Sequence, residues 1–310
     1  MVGTENGLFA LGFVVSDSPT RQSGKGSHRY IGIEFPLHFQ ELRRWSNAHL
    51  LHDHVKRVRC VLETISRKQL LTAKEYDIIL QEPWDCPLGG FCPGLDRITL
   101  FDLHELLGEN WLGERLIDSI LDLFTRELNR HIPNLIQILD STFYIELRNC
   151  YHTRRASSLL IKLREEFLIH PPLIIGFLLN KGDCHWALTS TILELRTVFQ
   201  GDSSPFLLDK DLCAIVQWWL QDIVEEDGIW EAWELLVEQQ DSRSGSCGLA
   251  SISAIAKFAR HMEETVAPCS PPKLSFALWT NQESRAVRSN WLQIILHAHI
   301  TSIEPPLVHP

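Results

Sequence analysis

Hydrophobic residues recur along this chain with two different periods, and the places where the period changes divide it into regions. Over residues 39–80, Leu42, Trp45, Leu50, Leu51, Val55, Val58, Leu62 and Ile65 follow a helical repeat. Arg43, Arg44, Lys56, Arg57 and Arg59 lie between them, which predicts one or two amphipathic helices. The stretch 84–94 carries Pro87, Gly89, Gly90, Pro93 and Gly94 and reads as a loop. Past it, Leu112, Leu116, Ile120 and Phe124 share one helical face, so Trp111 stands at a helix start. Pro133 breaks that pattern, and residues 136–147 are expected to form a second helix.

From Leu173 the period shortens. Residues 173–179 read as a buried strand, 180–183 as turn chemistry, and 184–193 and 196–199 as two further strands of an antiparallel meander. With the second turn centred near Leu193 and Glu194, His185 is expected to lie opposite Asp202. Side chains opposed in this way have Cβ atoms about 5 Å apart, close enough for a carboxylate to hold an imidazole. In the stretch 239–258, a polar segment containing Gly245 runs into Leu249, Ile252, Ile255, Ala256 and Ala259 at helical spacing. Cys247 therefore begins a largely buried helix. Unpaired N–H groups and the positive end of the helix dipole favour an anion there, the setting of a reactive thiolate. The residue type is equally compatible with a small side chain packed at a helix start.

Composition narrows the classes. The chain has 310 residues, 45% hydrophobic and 22% charged, enough for one large domain with an extension. A net charge of −10 argues against nucleic acid as a partner. The eight cysteines, Cys60, Cys86, Cys92, Cys150, Cys184, Cys213, Cys247 and Cys269, show no paired spacing for zinc or a disulfide framework, and a reducing, intracellular setting is expected. The apolar run 7–15 follows Glu5 and is too short to span a bilayer, so no membrane partner is expected. The segment 23–28 contains Gly24-Lys25-Gly26 without P-loop spacing. His49, His52 and His54 with Cys60 are better explained as a solvated helix face than as metal ligands, and neither metal nor cofactor is expected.

The order His185-Trp186, Asp202-Ser203, a Gln-containing loop and then Cys247-Gly248 resembles the ubiquitin-like-protein (SUMO-type) cysteine protease family. Trp111-Leu112-Gly113-Glu114 is similar to that family's Trp-Leu-Asn-Asp helix start, and Ser141-Thr142-Phe143-Tyr144 to its Asn-Thr-Phe-Phe segment. Residues 284–297, with Arg285 and Arg288, resemble its terminal helix. The resemblance implies an α+β, papain-like cysteine protease fold with a small antiparallel or mixed sheet flanked by helices. The expected organisation is an extension over 1–95, a catalytic domain over 96–300 and a tail over 301–310.

Carried over by position, the resemblance implies Cys247 as nucleophile, His185 as general base and Asp202 as its orienting carboxylate. Gln240 or Gln239 would donate to the oxyanion, and Trp111 and Trp186 would cover a slot for a Gly-Gly tail. Three positions depart from the family pattern: Ser246 replaces an Asp, Gln240 lies seven rather than six positions before Cys247, and Gly113-Glu114 replaces Asn-Asp. The implied partner is a ubiquitin-like modifier or its conjugates, met by a monomer in the nucleus or cytoplasm. The same residue order also serves Cys-dependent acyltransferases, and a degenerate copy would be an inactive modifier-binding module. The paired Trp residues favour the protease over the transferase, and intact Cys, His and Asp disfavour the inactive copy.

Overall fold

The computed structural model describes residues 39–93, 97–181, 185–203, 209, 211–223, 229–235, 237, 245–264 and 280–303. The apolar run 7–15, Cys184, Gln239, Gln240 and Cys269 lie outside them. The chain divides into two compact units, Met1–Cys60 and Val61–Pro310. The first contributes most of α1 (Phe39–Lys68), where Arg57 and Asp53 pair one turn apart at 2.9 Å. Among the described residues no helix is long and apolar enough to cross a membrane, and no cluster of His, Cys, Asp or Glu could hold a metal.

In the second unit, α2 (Ala73–Gln81) opens in a capping box made by Thr72 and Glu75. A 3-10 helix, Asp102–Leu107, precedes Trp111, and α3 (Glu114–His131) begins just beyond it. The segment 136–147 is not one helix. It splits into strand β1 (Ile136–Ile138) and the start of α4 (Phe143–Thr153). The Asn129 side chain both accepts from Ile136 N–H and donates to its carbonyl, which holds that backbone extended. Asp118 accepts from the N–H and hydroxyl of Ser141, so the chain turns before helix geometry resumes. Apolar residues spaced for a short strand followed by a turn thus imitated one helical period.

After α5 (Ser158–Ile169), strands β2 (Ile174–Lys181), β3 (His185–Ile192) and β4 (Thr197–Gly201) form the expected antiparallel meander. Helix α6 (Leu212–Leu220), strand β5 (Glu231–Leu235), α7 (Cys247–Glu264) and α8 (Asn281–Ile303) follow. The sheet order is β1-β2-β3-β4-β5, with the two outer pairings, β1 with β2 and β4 with β5, parallel. Both faces of β2 to β4 are covered. Phe177, Leu179 and Ala187 join a core with α4 and α6, in which the Phe143 ring lies 5.2 Å from Phe177 and 4.9 Å from Trp219. On the other face α7 packs through Phe258 against Phe199, ring centroids 5.1 Å apart.

The register between β3 and β4 differs by two residues from the sequence expectation. Leu188 pairs with Gly201 and Ile192 with Thr197, because the turn occupies Leu193 to Arg196 and closes with Arg196 in the left-handed region at φ 51°. His185 is therefore not the cross-strand partner of Asp202. A slip of two keeps every side chain on its face, whereas a slip of one would have reversed them all.

Candidate active site

Three elements bring the candidate residues together: the N-terminus of α7, the first residue of β3, and the residue just past the end of β4. Cys247 opens α7 and is 1% exposed. Helix and sheet are fixed to each other one turn further on, where the Ser251 hydroxyl donates to the Trp186 carbonyl at 3.1 Å. Two glycines allow the close approach. A Cβ on Gly248 would sit 2.6 Å from the Ile117 side chain of α3. A Cβ on Gly245 would sit 2.5 Å from the Glu109 carbonyl oxygen and 2.8 Å from Trp111 N, backbone atoms with no rotamer by which to escape. The Gly245 N–H instead donates to Glu109 O at 3.1 Å, which joins the loop before Cys247 to the segment before Trp111.

His185 Nε2 lies 2.5 Å from Asp202 Oδ1, with both side chains 5% exposed. The same imidazole hydrogen-bonds with the Cys247 side chain, and with Nε2 committed to the carboxylate the nitrogen left for sulfur is Nδ1. Burial opposes a charge on His185. The hydrogen bonds to Asp202 and Cys247, and the electrostatic attraction of the same two groups, outweigh it and raise His185 to about 9. An imidazole held in this way is a cation at neutral pH. A sulfur at a helix N-terminus, an imidazole beside it and a carboxylate on that imidazole are the groups that nucleophilic thiol catalysis uses.

The two candidate substrate tryptophans occupy different environments. Trp111 is 41% exposed, whereas Trp186 is 2% exposed, its indole edge 3.3 Å from where a Cβ on Gly248 would be. Trp186 thus packs beside the N-terminus of α7, adjacent in sequence to His185 but directed to the other face of β3.

Two residues near the site carry more than their sequence reading gave them. Ser246, where the resemblance expects Asp, places its hydroxyl 2.6 Å from that of Ser284 on α8. Arg288, one turn along α8, is 1% exposed and bonds to the carbonyls of Glu105, Asn110 and Gly245. The signal was available: Ser284, Arg288, Leu292, Ile295 and His299 fall on one buried helical stripe, and a charged residue on such a stripe must find partners.

No family model matches the sequence. The catalytic-domain structure of the Ulp1-like SUMO protease from Chaetomium thermophilum superposes with a TM-score of 0.54 at 17% identity, covering 74% of this chain and 90% of that one. The C-terminal Ulp1 protease domain, solved in complex with Smt3, the yeast ortholog of SUMO, gives 0.52 at 19% identity, covering 74% and 97%. The chain has the Ulp1-like SUMO protease fold. Among curated proteins, Sentrin-specific protease 3 of Mus musculus and of Homo sapiens are each 21% identical over 217 residues, 65% of this chain. The chain spans about a third of the length of those relatives, the matched part being 35% of each. The α+β class and the mixed sheet flanked by helices agree with the sequence reading.

Proposed function

We propose that this protein is a cysteine peptidase that cleaves after the Gly-Gly tail of a ubiquitin-like modifier of the SUMO type, in precursor processing or deconjugation. The observation that carries the proposal is the hydrogen-bonded series Cys247, His185, Asp202, built from three separate elements and buried at one end of the sheet. In this reading the Cys247 sulfur adds to the carbonyl carbon of the last tail glycine, and the carbonyl electron pair moves onto oxygen. Backbone N–H groups at the start of α7, which have no partner within the helix, stabilise that oxyanion. Gln239 or Gln240 supplies a side-chain donor. As the tetrahedral intermediate collapses, the C–N bond breaks, the His185 imidazolium gives its proton to the leaving amine, and a thioester to Cys247 remains. Neutral His185 then takes a proton from water, whose oxygen attacks the thioester and releases the modifier acid and the thiol.

Asp202 keeps the His185 Nε2–H directed away from the sulfur throughout, so Nδ1 always serves the reaction. Exposed Trp111, at the segment joined to Gly245, is the residue placed to cover the extended tail, and Trp186 supports the floor from the interior. Glycine in the tail is selected because a roof over the backbone excludes any Cβ.

The similarity to SUMO proteases favours a SUMO-like modifier, and the reading extends to a monomeric, intracellular enzyme needing no cofactor. The direct test is a panel of ubiquitin-like proteins carrying C-terminal electrophiles. A SUMO-type probe should label the protein and a ubiquitin probe should not. Labelling by none of the panel would contradict the proposal and favour a modifier-independent acyl transfer.

A further inference from the structure

The buried stripe of α8 carries one permanent charge. Arg288 Nη1 donates to Glu105 O at 2.7 Å, while Nη2 donates to Asn110 O at 2.6 Å and to Gly245 O at 3.1 Å. Its Nε reaches Ser284 Oγ at 3.4 Å, and that hydroxyl meets Ser246 Oγ at 2.6 Å. All these partners are backbone carbonyls and one hydroxyl; none is a carboxylate. The carbonyls belong to two segments that carry the candidate chemistry. Glu105 and Asn110 lead to Trp111, and Gly245 stands two residues before Cys247.

We infer that Arg288 is a positioning residue, which clamps the nucleophile loop to the Trp111 segment and holds a fixed positive charge on the Cys247 side of the junction. The inference rests on the peptidase reading of the site. A planar fork suits the task because donors on separate nitrogens reach carbonyls of two segments at once, whereas lysine carries all its donors on one nitrogen. A hydrophobic residue of similar length would fill the space and take the Arg288 donors away from those carbonyls. Burial works against the guanidinium charge and lowers its proton affinity, while the neighbouring Glu105, Glu109 and Cys247 side chains favour it. Among the described residues, Arg288 and the His185 cation both act on the Cys247 side chain, one charge fixed and one titrating.

Two variants separate clamp from charge: Arg288→Lys keeps the charge and loses the fork, and Arg288→Met loses both. Three quantities are read on the full chain: melting temperature, kcat and KM on a SUMO-type modifier with a fluorogenic C-terminal amide, and the rate of iodoacetamide alkylation of Cys247 against pH. The exposed Cys92 is the internal reference. We expect both variants to lose kcat roughly tenfold or more. Alkylation of Cys247 at neutral pH should fall roughly tenfold in Arg288→Met, with its rate curve displaced to higher pH, and stay within about twofold in Arg288→Lys. If Arg288→Met does not fold, the loss of kcat in Arg288→Lys carries the test. Folded variants with wild-type kcat and an unmoved alkylation curve would overturn the inference, and so would a lower melting temperature with kinetics intact. A wild type that cleaves no modifier tail, but whose Cys247 alkylation responds to Arg288→Met and not to Arg288→Lys, would end the peptidase reading and leave the fixed charge beside Cys247 standing.

Discussion

His185 Nε2 and Asp202 Oδ1 meet at 2.5 Å although the two residues are not paired in the β ladder. β3 begins with His185 and β4 ends one residue before Asp202, so the carboxylate reaches back across the end of the sheet. Replacing Asp202 with Asn should leave the fold in place and lower kcat by roughly 10⁴-fold, because the amide allows the unproductive tautomer. Circular dichroism and steady-state hydrolysis of a Gly-Gly amide check this. Turnover near that of the wild type would mean that His185 needs no carboxylate.

The same contact makes stability depend on pH. His185 stands at about 9 in the folded chain against an ordinary value of 6.5, so the folded state binds its proton more tightly. Its contribution is fully present below about pH 6.5 and is lost as pH rises through about 9. The wild type should therefore melt well above Asp202→Asn at about pH 6, and the gap should narrow by about pH 9.5. Thermal melts of both proteins at the two pH values decide it, and a gap that widened with pH would contradict the assignment.

Trp111 and Trp186 should separate in mutagenesis. Trp186, 2% exposed, lies in the core, and its replacement by Ala should cost about 3–5 kcal/mol of stability. Trp111, 41% exposed, should cost roughly 0.5 kcal/mol or less as Ala, yet impair cleavage after Gly-Gly. The wild type should reject a tail ending in Ala-Ala. Denaturant titrations and paired substrates test both statements, and equal cleavage of the two tails by the wild type would remove the slot.

Strand, turn and helix-start signals made the meander and the helix at Cys247 legible, since each depends on residues close in sequence. What failed was longer in range. The β3–β4 register turned on one residue, Arg196, adopting a left-handed conformation that no Gly or Asn announced. The strand at Ile136 took its state from the Asn129 side chain and from a parallel partner 38 positions away, Ile174, rather than from its own period. β5 was missed because four of its five residues are exposed and include two glutamates, a poor match to a buried run. The contact of His185 with Asp202 survived the wrong register only because the error was even.

The central claim is that Cys247 is the nucleophile toward a modifier tail. It is tested most directly by incubating the protein with a SUMO-type modifier bearing a C-terminal propargylamide, weighing the intact adduct and mapping the modified peptide. One modifier per chain, joined through Cys247, is expected, with no adduct on Cys247→Ala. An adduct on another cysteine that persists in Cys247→Ala would contradict it.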